Sequence, residues 1–173
     1  MRKSRPDPAR REAADVLPLA RSVGYQVRMA HRALQRYLQA KIGPYGVTPG
    51  MWYFLRALWN EDGLTQSELS RRIGTMEPTT LTAIAAMERG GLVTRVRSER
   101  DRRKQHVFLT ERGRALKREL LPLAVEVVDT ATAGFSADEV AALLSALSRI
   151  QHNLDAALSD VAGEAVDRSA APG

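Results

Sequence analysis

The segment from Asp101 to Gly113, DRRKQHVFLTERG, holds the side chains of this chain that are best suited to bind a charged ligand. It contains four arginine or lysine residues, one histidine and two carboxylates, and an alternating run within it leads into the start of a helix. Guanidinium and ammonium groups donate charge-assisted hydrogen bonds to phosphate oxygens. The segment therefore indicates a polyanionic partner, and nucleic acid is the first to consider.

The overall composition agrees with such a partner. The 173-residue chain has 26 Lys and Arg against 20 Asp and Glu, a formal charge of +6, which favours nucleic acid or an anionic membrane surface. Its 44% hydrophobic and 5% aromatic content favours a globular, helix-rich fold. Because the chain has no cysteine, disulfides, thiolate nucleophiles and cysteine-zinc sites are excluded.

No motif predicts an enzyme, a cofactor or a metal site. The chain lacks a nucleophile elbow, a phosphate-binding loop and a zinc-binding helix motif. His31, His106 and His152 are far apart in the sequence and form no local ligand cluster. Since neither a secretory signal nor a run of roughly 20 apolar residues is present, we expect a cytoplasmic protein that does not contact the membrane.

The apolar spacing predicts long helices at both ends of the fold. From Val16 to Ile42 apolar residues recur every three or four positions until GPYG at 43–46 ends the pattern. Thr110 is expected to cap a helix that Pro122 bends. Ser136 and Glu139 form a capping box for the last helix.

Between these helices the pattern is typical of a winged helix-turn-helix. Thr48 and Pro49 start one helix, and the T-x-x-E capping box at 65–68 starts a short second one. Glu77 and Pro78 start a third helix, which the glycine pair at 90–91 ends. The alternation after these glycines predicts a two-stranded hairpin, the wing. The third helix is then placed to enter the major groove of DNA.

The long helices have more apolar surface than a small winged domain can cover, so a homodimer is expected. The predicted fold is mainly α, a winged helix-turn-helix with a two-stranded β wing and long terminal dimerisation helices. The expected regions are a disordered basic arm (1–13), an N-terminal dimerisation helix (14–46), the DNA-binding domain (47–110), C-terminal dimerisation helices (111–162) and a disordered tail (163–173). Whether the basic arm contacts DNA stays open.

The ordered set of motifs resembles the MarR (multiple antibiotic resistance regulator) family. The resemblance covers roughly residues 15–160 and is carried by LTQSELSRRIG at 64–74, MERGGLV at 87–93, and D-x-R followed by L-T-x-x-G within 101–113. It implies a dimeric DNA-binding transcriptional regulator of pseudo-palindromic operators, commonly a repressor that a small ligand releases. The alternative is an architectural or constitutive DNA-binding factor without ligand control.

The predicted DNA contacts lie on three elements. Wing residues contact the backbone and the minor groove, with Arg103 as the minor-groove probe, at the position where the resemblance also implies one. Threonines on the recognition helix are expected to be exposed and to contact bases. Water-mediated contacts and the shape of the DNA are expected to add to specificity. The residues expected in the core are Leu69, Ile73, Leu81 and Ile84. The candidates are Ser67, Arg71, Thr79, Thr80, Thr82, Arg95, Arg97, Arg100, Asp101, Arg102, Arg103 and Lys104. For the threonines and for Arg71, plain surface positions are the alternative.

A small aromatic or phenolic effector is implied only by the resemblance, in a crevice between the dimerisation helices and the winged domain. The candidate ligand residues are His31, Tyr37, Trp52, Tyr53, Arg56 and Trp59. An arginine can pair with a carboxylate while aromatic rings cover the ligand. The alternative is that the two tryptophans pack in the core and that Arg56 is a surface charge.

Replacing Asp101 with Ala tests the predicted role of the acidic residue in the wing. Asp101 is expected to orient the Arg103 guanidinium, which reduces the side-chain entropy lost on binding. The variant should therefore bind its operator more weakly in a fluorescence anisotropy titration, although it removes a negative charge. Tighter binding would show that Asp101 only repels phosphate.

Overall fold

The computed structural model describes residues 18–98 and 104–169, with side chains described as far as residue 161. The predicted contacts Arg100, Asp101, Arg102 and Arg103, and the basic arm 1–13, lie outside the described residues. Helix α1 is Val23–Ile42, preceded by a 3-10 turn at Leu19–Arg21. The expected unbroken helix from Val16 is therefore wrong at Ser22, whose extended backbone caps α1 and whose hydroxyl accepts from the amide of Tyr25.

Three helices follow at the expected places. Helix α2 is Pro49–Asn60, α3 is Gln66–Ile73 and α4 is Glu77–Arg89. Thr48 caps α2, as predicted, because its hydroxyl accepts from the amide of Met51 at 3.3 Å. Helix α4 differs, since its N-cap is Met76, whose side chain makes no capping hydrogen bond.

The sheet has three strands rather than two. Strands β2, Val93–Arg97, and β3, Gln105–Leu109, form the predicted wing, and β1, Leu64–Thr65, pairs antiparallel with the other edge of β3. Strand β1 has only two residues, so no alternating pattern in the sequence could predict it. This pairing joins the start of α3 to the wing.

The core lies beneath the helix-turn-helix and collects apolar residues from most elements. Its fully buried members come from α1, α2, α3, α4, both wing strands and helix α5, Glu111–Ala131. They include Ile42, Leu55, Leu58, Leu69, Ile84, Met87, Val107 and Leu120. Each such side chain removed from water stabilises the fold by about 1.5–3 kcal/mol, before the entropy cost of ordering.

Helix α5 continues through Pro122, and helix α6, Ala137–Ser169, is the last element. Both expected caps are present, at Thr110 and at the Ser136–Glu139 box. The tail expected at 163–173 is helical as far as Ser169, consistent with helix formers such as Glu164 and Ala165 beyond Gly163. Residues 1–128 and 129–173 separate into two compact units.

None of the described helices is long and apolar enough to cross a membrane.

Gly113, the last residue of the L-T-x-x-G motif, lies where two segments approach most closely. A Cβ atom there would be 2.1 Å from the carbonyl oxygen of Leu92 and 3.1 Å from the side chain of Leu109. The motif requires glycine here because α5 packs directly against the backbone that enters the wing. The helical conformation itself does not require it.

Gly113→Ala should lower the free energy of unfolding by at least about 2–3 kcal/mol, because the methyl group overlaps a backbone carbonyl that cannot rotate away. Urea denaturation followed by circular dichroism measures the change. Gly24→Ala is the matched control, since nothing lies within 4 Å of a Cβ at that helical position; its stability should stay equal or rise by up to about 1 kcal/mol. Equal stability of both variants would contradict the close approach.

Candidate nucleic-acid interface

Buried hydroxyl groups hold the turn between α3 and α4. Gly74 has a left-handed backbone with φ of 69° and ends α3. The hydroxyl of Ser70 donates to the Thr75 carbonyl, and the hydroxyls of Thr75 and Thr80 lie 2.9 Å apart. This paired polar cluster sets the angle at which the recognition helix α4 leaves the turn.

Thr80 is therefore not a DNA contact. It was expected to be exposed, but its exposed fraction is 0% and its hydroxyl is paired with Thr75. Three residues on α4, Thr80, Ile84 and Met87, recur at helical spacing and form its buried face. A polar residue on that face is tolerated because the turn supplies its partner.

The expectation that Leu81 lies in the core is also wrong. Its side chain is 45% exposed, and Thr79 and Thr82 are exposed beside it. The hydrophobicity of Leu81 suggested a core position, but on a helical wheel it lies about 100° away from Thr80 and thus off the buried face. A helical wheel of α4 is therefore the signal that could have identified Leu81 as exposed.

The start of α3 is held by the predicted capping box. The Thr65 amide donates to Glu68 Oε2 at 2.7 Å, and the Glu68 amide donates to Thr65 Oγ1 at 3.3 Å. These hydrogen bonds from Thr65 hold the pKa of Glu68 below its ordinary value. The carboxylate thus stays charged at neutral pH and fixes the helix next to the sheet.

Three predicted backbone contacts come together beside this cap. Ser67, Arg71 and Lys104 line one surface cavity of about 220 Å³ between the start of α3 and the wing, together with the capping residue Glu68. The Ser67 hydroxyl donates to Glu77 Oε1 at 2.9 Å, which links α3 to the first turn of α4. The notch thus has one carboxylate and two exposed cations, and Arg71 and Lys104 are the groups there that can bind a phosphate.

Arg95 has an internal partner that the sequence analysis did not foresee. Its Nε donates to Glu88 Oε2 at 3.0 Å, and the pair joins α4 to β2. This hydrogen bond lowers the pKa of Glu88, so the carboxylate stays ionised at neutral pH. Arg97 and Lys104 are exposed at the outer ends of the wing strands. Arg97 is thus better placed than Arg95 to contact phosphate.

The two tryptophans among the ligand candidates pack in the fold. Trp52 is 3% exposed and meets Trp59 edge to face, with ring centroids 5.6 Å apart. The Trp59 indole N–H donates to the Gly113 carbonyl at 2.8 Å. Trp52 therefore has no surface to offer a ligand directly, as the packing alternative held.

The other four candidate ligand residues lie at three separate places. Tyr53 and Arg56 are exposed on α2 and line a cavity of about 530 Å³ with Arg72 and Ile73. His31 contacts Gln35 on the surface of α1, and Tyr37 donates to Glu126 on α5 at 3.5 Å. Of the six candidates, Tyr53 and Arg56 thus share a cavity. Residues 18–98 and 104–161 hold no group of three or more His, Asp or Glu side chains that could bind a metal ion.

Comparisons with known proteins agree with this geometry. A MarR family model matches residues 45–104, which span α2, β1, α3, α4 and the first wing strand, β2. The chain is 30% identical to the HTH-type transcriptional regulator TtmR of Methylorubrum extorquens, over 76% of this chain and 67% of that protein. The chain belongs to the MarR family.

Solved structures of the family show the same fold. A MarR transcriptional regulator from Methanosarcina mazei has a TM-score of 0.69 at 33% identity, over 76% of this chain and 94% of that one. The transcriptional repressor CouR, solved with a 23-mer DNA duplex, has a TM-score of 0.71 at 30% identity, over 77% of this chain and 94% of that one. The predictions of a winged helix-turn-helix, of DNA binding and of transcriptional regulation rather than catalysis are confirmed.

The two wing arginines should differ in the salt dependence of DNA binding. Arg97→Met should reduce the slope of log K against log salt by about 0.9, the value for one lost phosphate contact. Arg95→Met, the matched variant, should leave the slope unchanged, because its guanidinium is paired with Glu88. Fluorescence anisotropy from 50 to about 200 mM salt measures both slopes. A larger change for Arg95→Met than for Arg97→Met would reverse this assignment.

Proposed function

We propose that this protein is a homodimeric repressor that binds a pseudo-palindromic operator. The observation that carries the proposal is the apolar surface of the two long terminal helices. On α6, apolar side chains recur every three or four residues, at Leu143, Leu147, Ile150, Leu154, Leu158 and Val161. All but the half-buried Leu147 and Ile150 are exposed in the single chain, as is the adjacent Leu144. Such a stripe on a helix requires a partner.

Helix α1 has a second stripe of the same kind. Val23, Val27 and Leu34 are exposed along one side of this helix. A second copy of the chain is the simplest occupant of both stripes, since a two-fold axis pairs identical surfaces. It would also present two recognition helices to DNA about one helical turn apart, which corresponds to a pseudo-palindrome.

The repressor assignment rests on similarity. CouR is named a repressor and was solved with a 23-mer duplex, about two turns of DNA and thus long enough for two half-sites. Operator occupancy by such a dimer blocks transcription when the site overlaps a promoter. A regulator of this kind acts in the compartment that holds the DNA, so we infer a cytoplasmic location.

The double variant Leu154→Asp/Leu158→Asp should be monomeric in sedimentation velocity, because two charges in an apolar dimer interface are costly. Its operator affinity should fall at least about 100-fold, since one half-site replaces two. The wild-type protein should sediment as a dimer and repress a reporter gene placed behind its own upstream DNA.

His152→Asp is the control, because it adds a charge on the side of α6 opposite the apolar stripe. It should stay dimeric and keep its affinity. A monomeric wild-type protein, or one that binds all duplexes equally, would contradict the proposal.

A small aromatic acid is proposed as the effector. The cavity of about 530 Å³ beside Tyr53 has two arginines, Arg56 and Arg72, on its walls. This size and mixture of ring and cation suit an aromatic carboxylate. Arg72 also pairs with Glu61, and α3, which holds Arg72, is the helix that packs against α4. A ligand that takes Arg72 from Glu61 could therefore shift the recognition helix.

Salicylate is the first probe. It should bind in isothermal titration calorimetry, quench Trp52, whose ring lies 5.8 Å from the Arg56 guanidinium, and weaken operator binding. Arg56→Met should abolish all three effects, whereas Arg36→Met on the surface of α1 should leave them. If no member of an aromatic acid panel binds, the constitutive DNA-binding factor becomes the better assignment.

A further inference from the structure

The outward face of the recognition helix is mainly apolar. Pro78, Thr82 and Ala85 lie opposite its buried face, Leu81 lies on one flank about 100° from Thr80, and the exposed Thr79 lies on the other flank. The helix has no Arg, Lys, Asn or Gln until Arg89 in its last turn. Helices that recognise bases by bidentate hydrogen bonds use those four residue types. This face therefore requires another means of recognition.

The hydroxyl hydrogen of Thr82 already has a partner. Its Oγ1 donates to the backbone carbonyl of Pro78 at 3.0 Å, one turn earlier in the same helix. Thr82 therefore offers an outside partner its methyl group or a lone pair of Oγ1, but not the hydroxyl hydrogen. Leu81, next to it, is 45% exposed.

The surroundings of this apolar face indicate what covers it. Exposed cations lie on the elements next to this helix and at its end: Arg71 and Lys104 at the notch beside α3, Arg97 on the wing, and Arg89 in the last turn of α4. A protein partner would have to be strongly acidic around an apolar centre. The major groove of DNA has phosphates at its edges and, wherever thymine occurs, a C5-methyl group on its floor.

We propose that Leu81 and the methyl group of Thr82 recognise thymine C5-methyl groups in the major groove of the operator. This inference rests on the proposed function and names the base that the recognition helix contacts. The operator then has at least one thymine in each half-site at a position that α4 faces. Discrimination comes from burial of methyl groups, and the wing cations supply non-specific affinity.

The size of the effect follows from the surface involved. Burial of one methyl group corresponds to about a fourfold change in affinity. A thymine contacted by both side chains should thus contribute about three- to tenfold to the dissociation constant. This is less than a bidentate arginine–guanine contact contributes, so several such positions are needed for a specific operator.

Deoxyuridine tests the proposal because it differs from thymidine only by the absent methyl group. The operator is first selected from random duplexes with the full chain, and each thymine of one half-site is then replaced singly by deoxyuridine. At one or two positions the replacement should weaken binding three- to tenfold in anisotropy titrations. At the other thymines the change should stay below about twofold, since their methyl groups are not buried.

Two isosteric variants separate the methyl group of Thr82 from its hydroxyl. Thr82→Val keeps a methyl group and removes the hydroxyl, so it should keep the sensitivity to deoxyuridine. Thr82→Ser keeps the hydroxyl and removes the methyl, so it should bind about fourfold more weakly and lose the sensitivity at one position. Leu81→Ala should lose the sensitivity to deoxyuridine at the same or the adjacent position. Thermal unfolding of the variant should show that its fold is intact.

Each result bears on the inference. Selective loss at particular thymines, abolished by Leu81→Ala or Thr82→Ser, would establish it. Specific binding that no deoxyuridine replacement weakens, or a larger loss for Thr82→Val than for Thr82→Ser, would overturn it while leaving the proposed function intact. A protein that shows no preference among duplexes would overturn the proposed function and this inference together.

Discussion

The contact between the start of α5 and the glycines that follow α4 is the constraint on which the DNA-binding domain depends. Three residues at the start of α5 or just before it contribute to it. Thr110 binds the Leu92 carbonyl through its amide and the Gly91 carbonyl through its hydroxyl. The Arg112 guanidinium donates to the Gly90 carbonyl, and Gly113 allows the helix to touch the Leu92 backbone. The recognition helix, the wing and α5 therefore meet at one joint.

That joint fixes the recognition helix and the wing relative to each other. The Glu88–Arg95 pair adds a second link between α4 and β2, and β1 ties the start of α3 to β3 on the far side of the sheet. A helix and a hairpin held together at two places lose less freedom when they bind a partner, which lowers the entropic cost of binding. Most polar groups near the joint have partners inside the protein, so the exposed cations at the rim are the ones left for phosphate.

Internal hydrogen bonds also explain why the recognition helix presents few polar groups. The polar groups of Thr75 and Thr80 bind each other, and the hydroxyl of Thr82 binds its own helix. Once these contacts are made, the helix presents mainly methyl and methylene groups, with Thr79 as an exposed exception. In the proposed mode of binding, affinity from charge and selectivity from apolar contact are located on different elements, the wing and α4.

The sequence by itself determined the winged helix-turn-helix, several of its caps and the family, because these signals are local: a capping threonine before a helix, a proline at its first position, a glycine at its end. It did not determine the caps of α1 and α4, nor which residues face outward on a short amphipathic helix, as Thr80 and Leu81 show, since burial depends on what packs against that helix. Nor could it predict β1, whose partner strand is distant in sequence, or the Arg95–Glu88 pair, which forms only where β2 lies against α4. Those assignments were decided only by the tertiary structure, which brings separate segments within hydrogen-bonding distance.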